Sequence, residues 1–169
     1  MANSNDLRYV KTERLIRSSY MELLRDGGRS VTVTALCKAA LINKSTIYAH
    51  YETIEHLRNA IRQEKVGSML SDDNPAIMGF FVDVGPCVEC IFSVFAANKE
   101  ELGLLFPNWT DMIEPVEKTL LKKYETQGIT EEQKYTLRFC IGGILHLISA
   151  KSIPDVQEVV IALSKKCVQ

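Results

Sequence analysis

A chain of 169 residues with 46% apolar side chains can fill a core, which excludes a disordered tail, and it is long enough for one sizeable domain or two small helical ones. A net charge of −1 excludes a uniformly basic polyelectrolyte, yet the charge is unevenly placed: residues 1–66 hold 11 Lys/Arg against 7 Asp/Glu, and residues 67–169 hold 9 against 14. A basic front and an acidic back point to an anion met by the front half alone; the plainer alternative is uneven surface charge.

Ile16, Ser19, Tyr20, Leu23 and Leu24 recur at helical spacing and predict a helix over roughly 7–25. The Asp26–Gly28 stretch stops it, because glycine takes the left-handed C-cap conformation without a Cβ clash. The other face carries Arg8, Lys11, Arg14 and Arg17, a basic stripe. Thr32 caps a second helix, from Val33 to about Ala40, with Leu36 and Ala40 facing inward. Leu41-Ile42-Asn43 makes a short turn. Asn43 is expected to cap a third helix through its side-chain oxygen, and that helix ends near Tyr51. Thr53 caps a fourth, running to about Leu70 with Leu57, Ala60 and Ile61 on one face.

The polar cluster Ser71-Asp72-Asp73-Asn74-Pro75 is the expected domain boundary. Beyond it the pattern stays helical: Ile77 to Ala97, with an interruption expected at Gly85-Pro86; a short Glu100 to Pro107; Trp109 to Gln127, closed by Gly128; about Glu131 to Ser149 behind a Thr130 cap with Glu132 or Gln133 completing a capping box; and a last helix opened by Pro154, to about Lys166. The prediction is an all-α chain of about nine helices, divided into 1–52, a connecting helix 53–70, and a helical domain 71–169.

The fragment Asn43–Tyr51 (NKSTIYAHY) is too short to be stable alone, since isolated helices below ~12–15 residues are marginal. Two short helices joined by a tight turn behind a basic helix form a helix-turn-helix arrangement, whose second helix enters the DNA major groove. The stretch from Thr32 to Leu57, TVTALCKAALINKSTIYAHYETIEHL, resembles the N-terminal motif of the TetR-type transcriptional regulators in continuous register. Thr32 stands at the capping threonine; Leu36, Cys37, Ala40, Ile42 and Asn43 follow the motif through the turn. Thr46, Ile47, Tyr48, His50 and Tyr51 then follow its T-L-Y-x-H-F segment, and Thr53 and Leu57 close the match. The resemblance covers roughly residues 8–66. It implies a sequence-specific DNA-binding regulator, expected to be a ligand-released repressor acting as a homodimer, with activation as the alternative.

In that reading Tyr48, His50, Thr46, Thr32 and Thr34 are the phosphate-contacting candidates, while Lys44, Ser45 and Ala49 face bases: a lysine can donate to guanine O6 or N7, and an alanine can touch a thymine methyl. The alternative is a core Tyr48 and a plain surface His50. Three departures stand out. Leu41 replaces the turn glycine, Ser45 replaces a glycine of the reading helix, and Ile54 replaces a phosphate-reaching lysine. The last removes one cation, and each neutralised phosphate contributes about −0.9 to the salt slope.

One reading helix covers too few base pairs, so a palindromic double-stranded operator and a homodimer are implied. The expected dimer surface comprises Phe139, Gly142, Gly143 and Leu145 on one helix and Val156, Val159, Val160 and Leu163 on the next; the alternative is that these stripes are protomer core. The resemblance also implies an unknown small-molecule effector held by the middle helices, with Phe80, Phe81, Phe92, Phe95, Phe106, Trp109 and Met112 as apolar walls and His146 or Tyr124 as polar points.

Two other readings stay open. One is a helical interaction protein of the same fold that has lost DNA binding, motivated by Leu41 and Ile54. The other is a thiol-based redox or metal sensor. It would use Cys87 and Cys90, because a cysteine near a helix N-terminus has a lowered pKa; Cys140 and His146 are further possible ligands. A single C-x-x-C is a weak signal. The chain has no nucleotide-cradling glycine loop, H-E-x-x-H or G-x-S-x-G, so no catalytic residue, metal or cofactor is expected. The longest near-apolar run, Phe139 to Ala150, is interrupted by His146 and falls short of the ~20 residues of a membrane span. A polar N-terminal stretch and an odd count of five cysteines lead to the expectation of reduced thiols, no membrane partner and a cytoplasmic location.

Overall fold

A computed structural model of the chain describes residues 7–27, 30–71, 75–149 and 156–168; the side chains of Ile148, Ser149 and Val156 fall outside that description. All regular structure among the described residues is helical. The order is α1 (Leu7–Arg25), α2 (Val33–Ala40), α3 (Lys44–His50), α4 (Ile54–Met69), α5 (Val84–Ala97), α6 (Lys99–Leu105), α7 (Ile113–Glu125), α8 (Glu131–Ser149) and α9 (Val156–Val168), with 3₁₀ turns at Ile77–Gly79 and Trp109–Met112. The chain divides into two compact units, Met1–Ile61 and Arg62–Gln169. The division passes through the predicted connecting helix rather than through the polar cluster at 71–75.

In the first unit the local caps set the element bounds. Gly27, at φ 88°, lies two residues beyond the end of α1. The Thr32 hydroxyl accepts from the Ala35 N–H at 3.2 Å and opens α2. Leu41 closes it in the left-handed region, φ 53° and ψ 39°. Asn43 occupies the N-cap position of α3, but its side chain makes no capping hydrogen bond, contrary to expectation; its backbone carbonyl accepts from Thr46 N at 3.0 Å instead. The Thr53 hydroxyl accepts from His56 N at 2.9 Å and opens α4.

Helix α1 packs on α2 and α2 on α3, burying Ile16, Tyr20, Leu36, Ala40, Ile47 and Leu57. Within α3 the one buried residue is Ile47. A seven-residue helix held by one inward side chain and the buried Tyr51 that follows it depends on tertiary packing rather than on its own propensity.

In the second unit the break in the apolar run falls before Asp83, not at Gly85-Pro86. The Asp83 carboxylate caps α5 by accepting from Gly85 N at 3.2 Å. Pro86 then sits in the first turn, where a missing N–H leaves no intrahelical bond unmade. The Tyr124 hydroxyl donates to the Ile77 carbonyl and accepts from Phe80 N at 3.0 Å, which ties the first 3₁₀ turn to α7.

Gly128, at φ 72°, follows α7, and Thr130 and Gln133 form a reciprocal capping box on α8: Thr130 N donates to Gln133 Oε1 at 2.9 Å and Gln133 N to Thr130 Oγ1 at 3.2 Å. Arg62 is buried, donating to the Leu105 carbonyl at 2.7 Å and pairing with Asp111 at 3.4 Å, its guanidinium 4.9 Å from the Phe106 ring centre. Helices α5 and α8 each pack on α9, and α7 packs on α8. Pro154, expected to open the last helix, lies outside the described residues.

Candidate nucleic-acid interface

The packing of Ile47 and Tyr51 decides what α3 shows. With those two turned inward, Lys44, Ser45, Tyr48 and Ala49 are exposed and Thr46 and His50 are half-buried. Tyr48 is 52% exposed, too open to be a core aromatic. Thr32 and Thr34, at the start of α2, are also exposed. The Thr32 oxygen is engaged in capping, but its hydroxyl proton can still be donated. The structure therefore brings the expected residues of α2 and α3 onto the surface of one compact unit.

His50 is held from behind. Its ring stacks on that of Tyr9 in α1, centroids 3.9 Å apart and planes 24° from parallel. Its Nδ1 is shielded from solvent and has no hydrogen-bond partner among the described residues. Burial lowers the imidazole pKa from its ordinary value, and the nearby Glu13 charge only partly offsets this.

Beside it, Arg17 departs from the expected free basic stripe. Its Nε donates to the Tyr51 hydroxyl at 2.7 Å and its Nη2 to Glu13 Oε1 at 2.9 Å, while Tyr51 donates to the same oxygen at 3.0 Å. Burial opposes ionisation of Glu13, but the Tyr51 and Arg17 hydrogen bonds win and hold its carboxyl below the ordinary value. Burial pushes the Tyr51 hydroxyl up to about 12. Arg8, Lys11 and Arg14 remain exposed along α1. The sequence reading missed Tyr9 and Glu13; their signal was the i, i+4 row Tyr9, Glu13, Arg17 on α1.

In the second unit, Phe80, Phe95, Phe106 and Met112 are buried side chains of the core. Phe81 packs edge-on against Phe80 and Tyr124, at 5.1 and 5.5 Å, and borders an open cleft of about 360 Å³. Trp109 stacks near Phe95 at 6.4 Å, Phe92 is half-buried, and His146 is exposed. Of the expected dimer set, Phe139, Val159 and Leu163 are exposed, at 73%, 39% and 51%, whereas Leu145 and Val160 pack inward within the protomer. Gly142 and Gly143 leave open space where a Cβ would stand. Val156 belongs to α9, but its side chain lies outside the described set.

Cys87 is buried, its Sγ 3.6 Å from the Ile77 carbonyl, and burial pushes the thiol up to about 12. This is the reverse of an activated thiolate. Among the described residues no group of His, Cys, Asp and Glu is arranged to hold a metal ion, and no helix is long and apolar enough to cross a membrane.

No family model, curated protein or solved structure matches the chain.

Proposed function

We propose that this protein is a TetR-type, sequence-specific transcription regulator that binds a palindromic operator as a homodimer and is released by a small-molecule effector. The observation that carries the reading is the short helix α3. It follows a left-handed turn, exposes Lys44, Ser45, Tyr48 and Ala49, and is clamped by Ile47 and Tyr51 against a unit whose first helix presents Arg8, Lys11 and Arg14. A groove-reading helix needs a slim polar outer face and firm neighbours, and this one has both. Tyr48 and His50 supply uncharged donors for phosphates, Lys44 a donor for guanine, and the α1 cations the salt-dependent attraction. The effector acts by binding better to a state of the dimer whose reading heads do not fit one face of DNA, with α4, which belongs to both units, as the connection.

The test is fluorescence anisotropy with duplex DNA from upstream of the protein's own gene. Charged-acceptor hydrogen bonds contribute about 1.5–3 kcal/mol each, so Tyr48→Phe with His50→Ala should weaken binding by at least roughly tenfold while the circular-dichroism melt stays cooperative. Specific binding unaffected by the double substitution would remove α3 from the interface.

One observation favours a second reading, an interaction protein on the same fold: Leu41 is 90% exposed at the turn before α3. That protein would show no operator preference at any salt concentration.

A further inference from the structure

The second unit contains a cleft of about 640 Å³ that the aromatic side chains do not line. One wall is α4, with Gln63 and Gly67; the other is α7, with Lys118, Thr119, Lys122 and Lys123; Met78 comes from the 3₁₀ turn. Its volume lies in the range of small-molecule sites, about 300–1,000 Å³. The uncharged polar groups of the walls are engaged with each other. Gln63 Nε2 donates to Thr119 Oγ1 at 2.8 Å, and that hydroxyl donates to the Pro115 carbonyl at 2.8 Å.

What remains at the rim is charge of one sign. Lys118 and Lys122 are exposed, sit one turn apart on the same face of α7, and have no carboxylate within salt-bridge distance among the described residues. Like charges at i, i+4 repel, and a bound anion relieves the repulsion. The lysine stems add aliphatic surface below their ammonium groups. At Gly67 a Cβ would meet nothing within 4 Å among the described residues, so α4 leaves the trough open.

We propose that this cleft binds a soluble amphipathic carboxylate. Its alkyl tail lies along Gly67, Met78 and the lysine stems, and its head group is held by Lys118 and Lys122. The edge of the trough from Lys118 on α7 to Thr126 just past its end spans roughly 12 Å at 1.5 Å per residue, which suits a medium-length unbranched chain. The site deepens the regulator reading by naming its effector class, and it rests on that reading only for the consequence at DNA. Binding is measured on the protein alone, so failure here leaves the DNA proposal standing.

The experiment is isothermal titration of the full chain with decanoate below its micelle-forming concentration, with decan-1-ol and acetate as controls. Decanoate should bind at one site per chain, and the alcohol and acetate at least tenfold more weakly. Lys118→Gln with Lys122→Gln should weaken decanoate at least tenfold. Gly67→Leu, whose side chain enters open space, should abolish binding while the thermal melt remains cooperative. The proposal is overturned if decan-1-ol or acetate equals decanoate, if Gly67→Leu binds as the parent does, or if decanoate does not bind. Preferential binding to phosphatidylglycerol vesicles over free decanoate would overturn it as well, by making the lysines a membrane contact.

Discussion

Tyr9 lies flat on His50, ring centroids 3.9 Å apart, and so fixes the imidazole at the C-terminal end of α3. A neutral imidazole carries one proton. With Nδ1 shielded and without an acceptor among the described residues, the proton belongs on Nε2, leaving that nitrogen the donor. Tyr9 thus acts at one remove, by holding a donor that would meet a phosphate. Aromatic pairs contribute about 0.5–1.5 kcal/mol beyond their buried area. Tyr9→Ala should therefore weaken operator binding by roughly three- to tenfold, and Tyr9→Phe, which keeps the ring, should restore it. Nitrogen-15 NMR of the parent should show the Nε2–H tautomer. An Nδ1–H signal, or equal affinities for the alanine and phenylalanine variants, would refute this role.

Leu41 carries strain that a single substitution can remove. Its φ of 53° is the only positive value at a non-glycine residue among those described, and its side chain is 90% exposed, so little packing rewards it. The left-handed conformation costs an L-residue about 1–2 kcal/mol, and glycine returns roughly 0.5–1 kcal/mol of that as backbone entropy. Leu41→Gly should stabilise the first unit by up to about 1 kcal/mol, a rise of roughly 4–8 °C for a unit of this size. Leu41→Val should lower the midpoint, because β-branching tolerates a positive φ poorly. A lower midpoint for the glycine variant would mean that the leucine makes a contact worth more than its strain.

Stability should be greatest between about pH 6.5 and 9. His50 titrates below its ordinary 6.5 in the folded chain, so the unfolded chain takes up that proton first and stability falls as pH drops below 6.5. Glu13, held below 4.5, adds a second loss at lower pH. On the alkaline side, Cys87 and Cys140 are raised by burial from 9.0 to about 12 and about 11, and Tyr51 from 10.0 to about 12. Each is neutral in the fold while the unfolded chain ionises, so stability falls as pH rises above 9. Urea melts across this range test the shape. His50→Gln should flatten the first acid decline, and Cys87→Ala part of the alkaline one. An acid limb unchanged in His50→Gln would assign that decline elsewhere.

What the sequence made legible was what depends on neighbours a few residues apart. Thr32, Thr53 and Thr130 are capping residues because a cap links positions i and i+3, and the bounds of α1 and α8 follow from periodicity and the same local groups. The inward turn of Ile47 and Tyr51 and the exposure of Tyr48 follow from helical spacing once α3 is placed.

What escaped depends on contacts distant in sequence. Tyr124 holds the 3₁₀ turn at Ile77 from 47 residues away, so the Asp83 cap on Gly85 N is the one local sign of the break, while Gly85-Pro86 carries a false one. The Arg17–Tyr51 hydrogen bond spans 34 residues, and it takes out of the basic stripe a cation that the spacing within α1 places there. Composition likewise cannot tell a core phenylalanine from one lining a cavity: Phe80, Phe95 and Phe106 went to the core, and the cleft of about 640 Å³ formed where Gly67 of α4 faces Lys118, Lys122 and Lys123 of α7.

The two-fold interface proposed for α8 and α9 makes a prediction that separates it from protomer packing. Phe139, Leu163 and Val159 are exposed beside Gly142 and Gly143, where an added Cβ meets nothing within 4 Å among the described residues. Mid-helix glycine costs about 0.5–1 kcal/mol relative to alanine. In an isolated protomer, Gly143→Ala should therefore be stabilising, with no steric penalty to offset the gain. If another α8–α9 pair approaches closely at Gly143, the added methyl instead pushes the helices apart and the packing around Phe139 loosens. Sedimentation equilibrium of the parent should give a dimer. Phe139→Glu, which places a charge in the apolar contact, should give a monomer, and Gly143→Ile should raise the dimer dissociation constant by at least tenfold without unfolding the chain. A dimer indifferent to both substitutions would have to use another face.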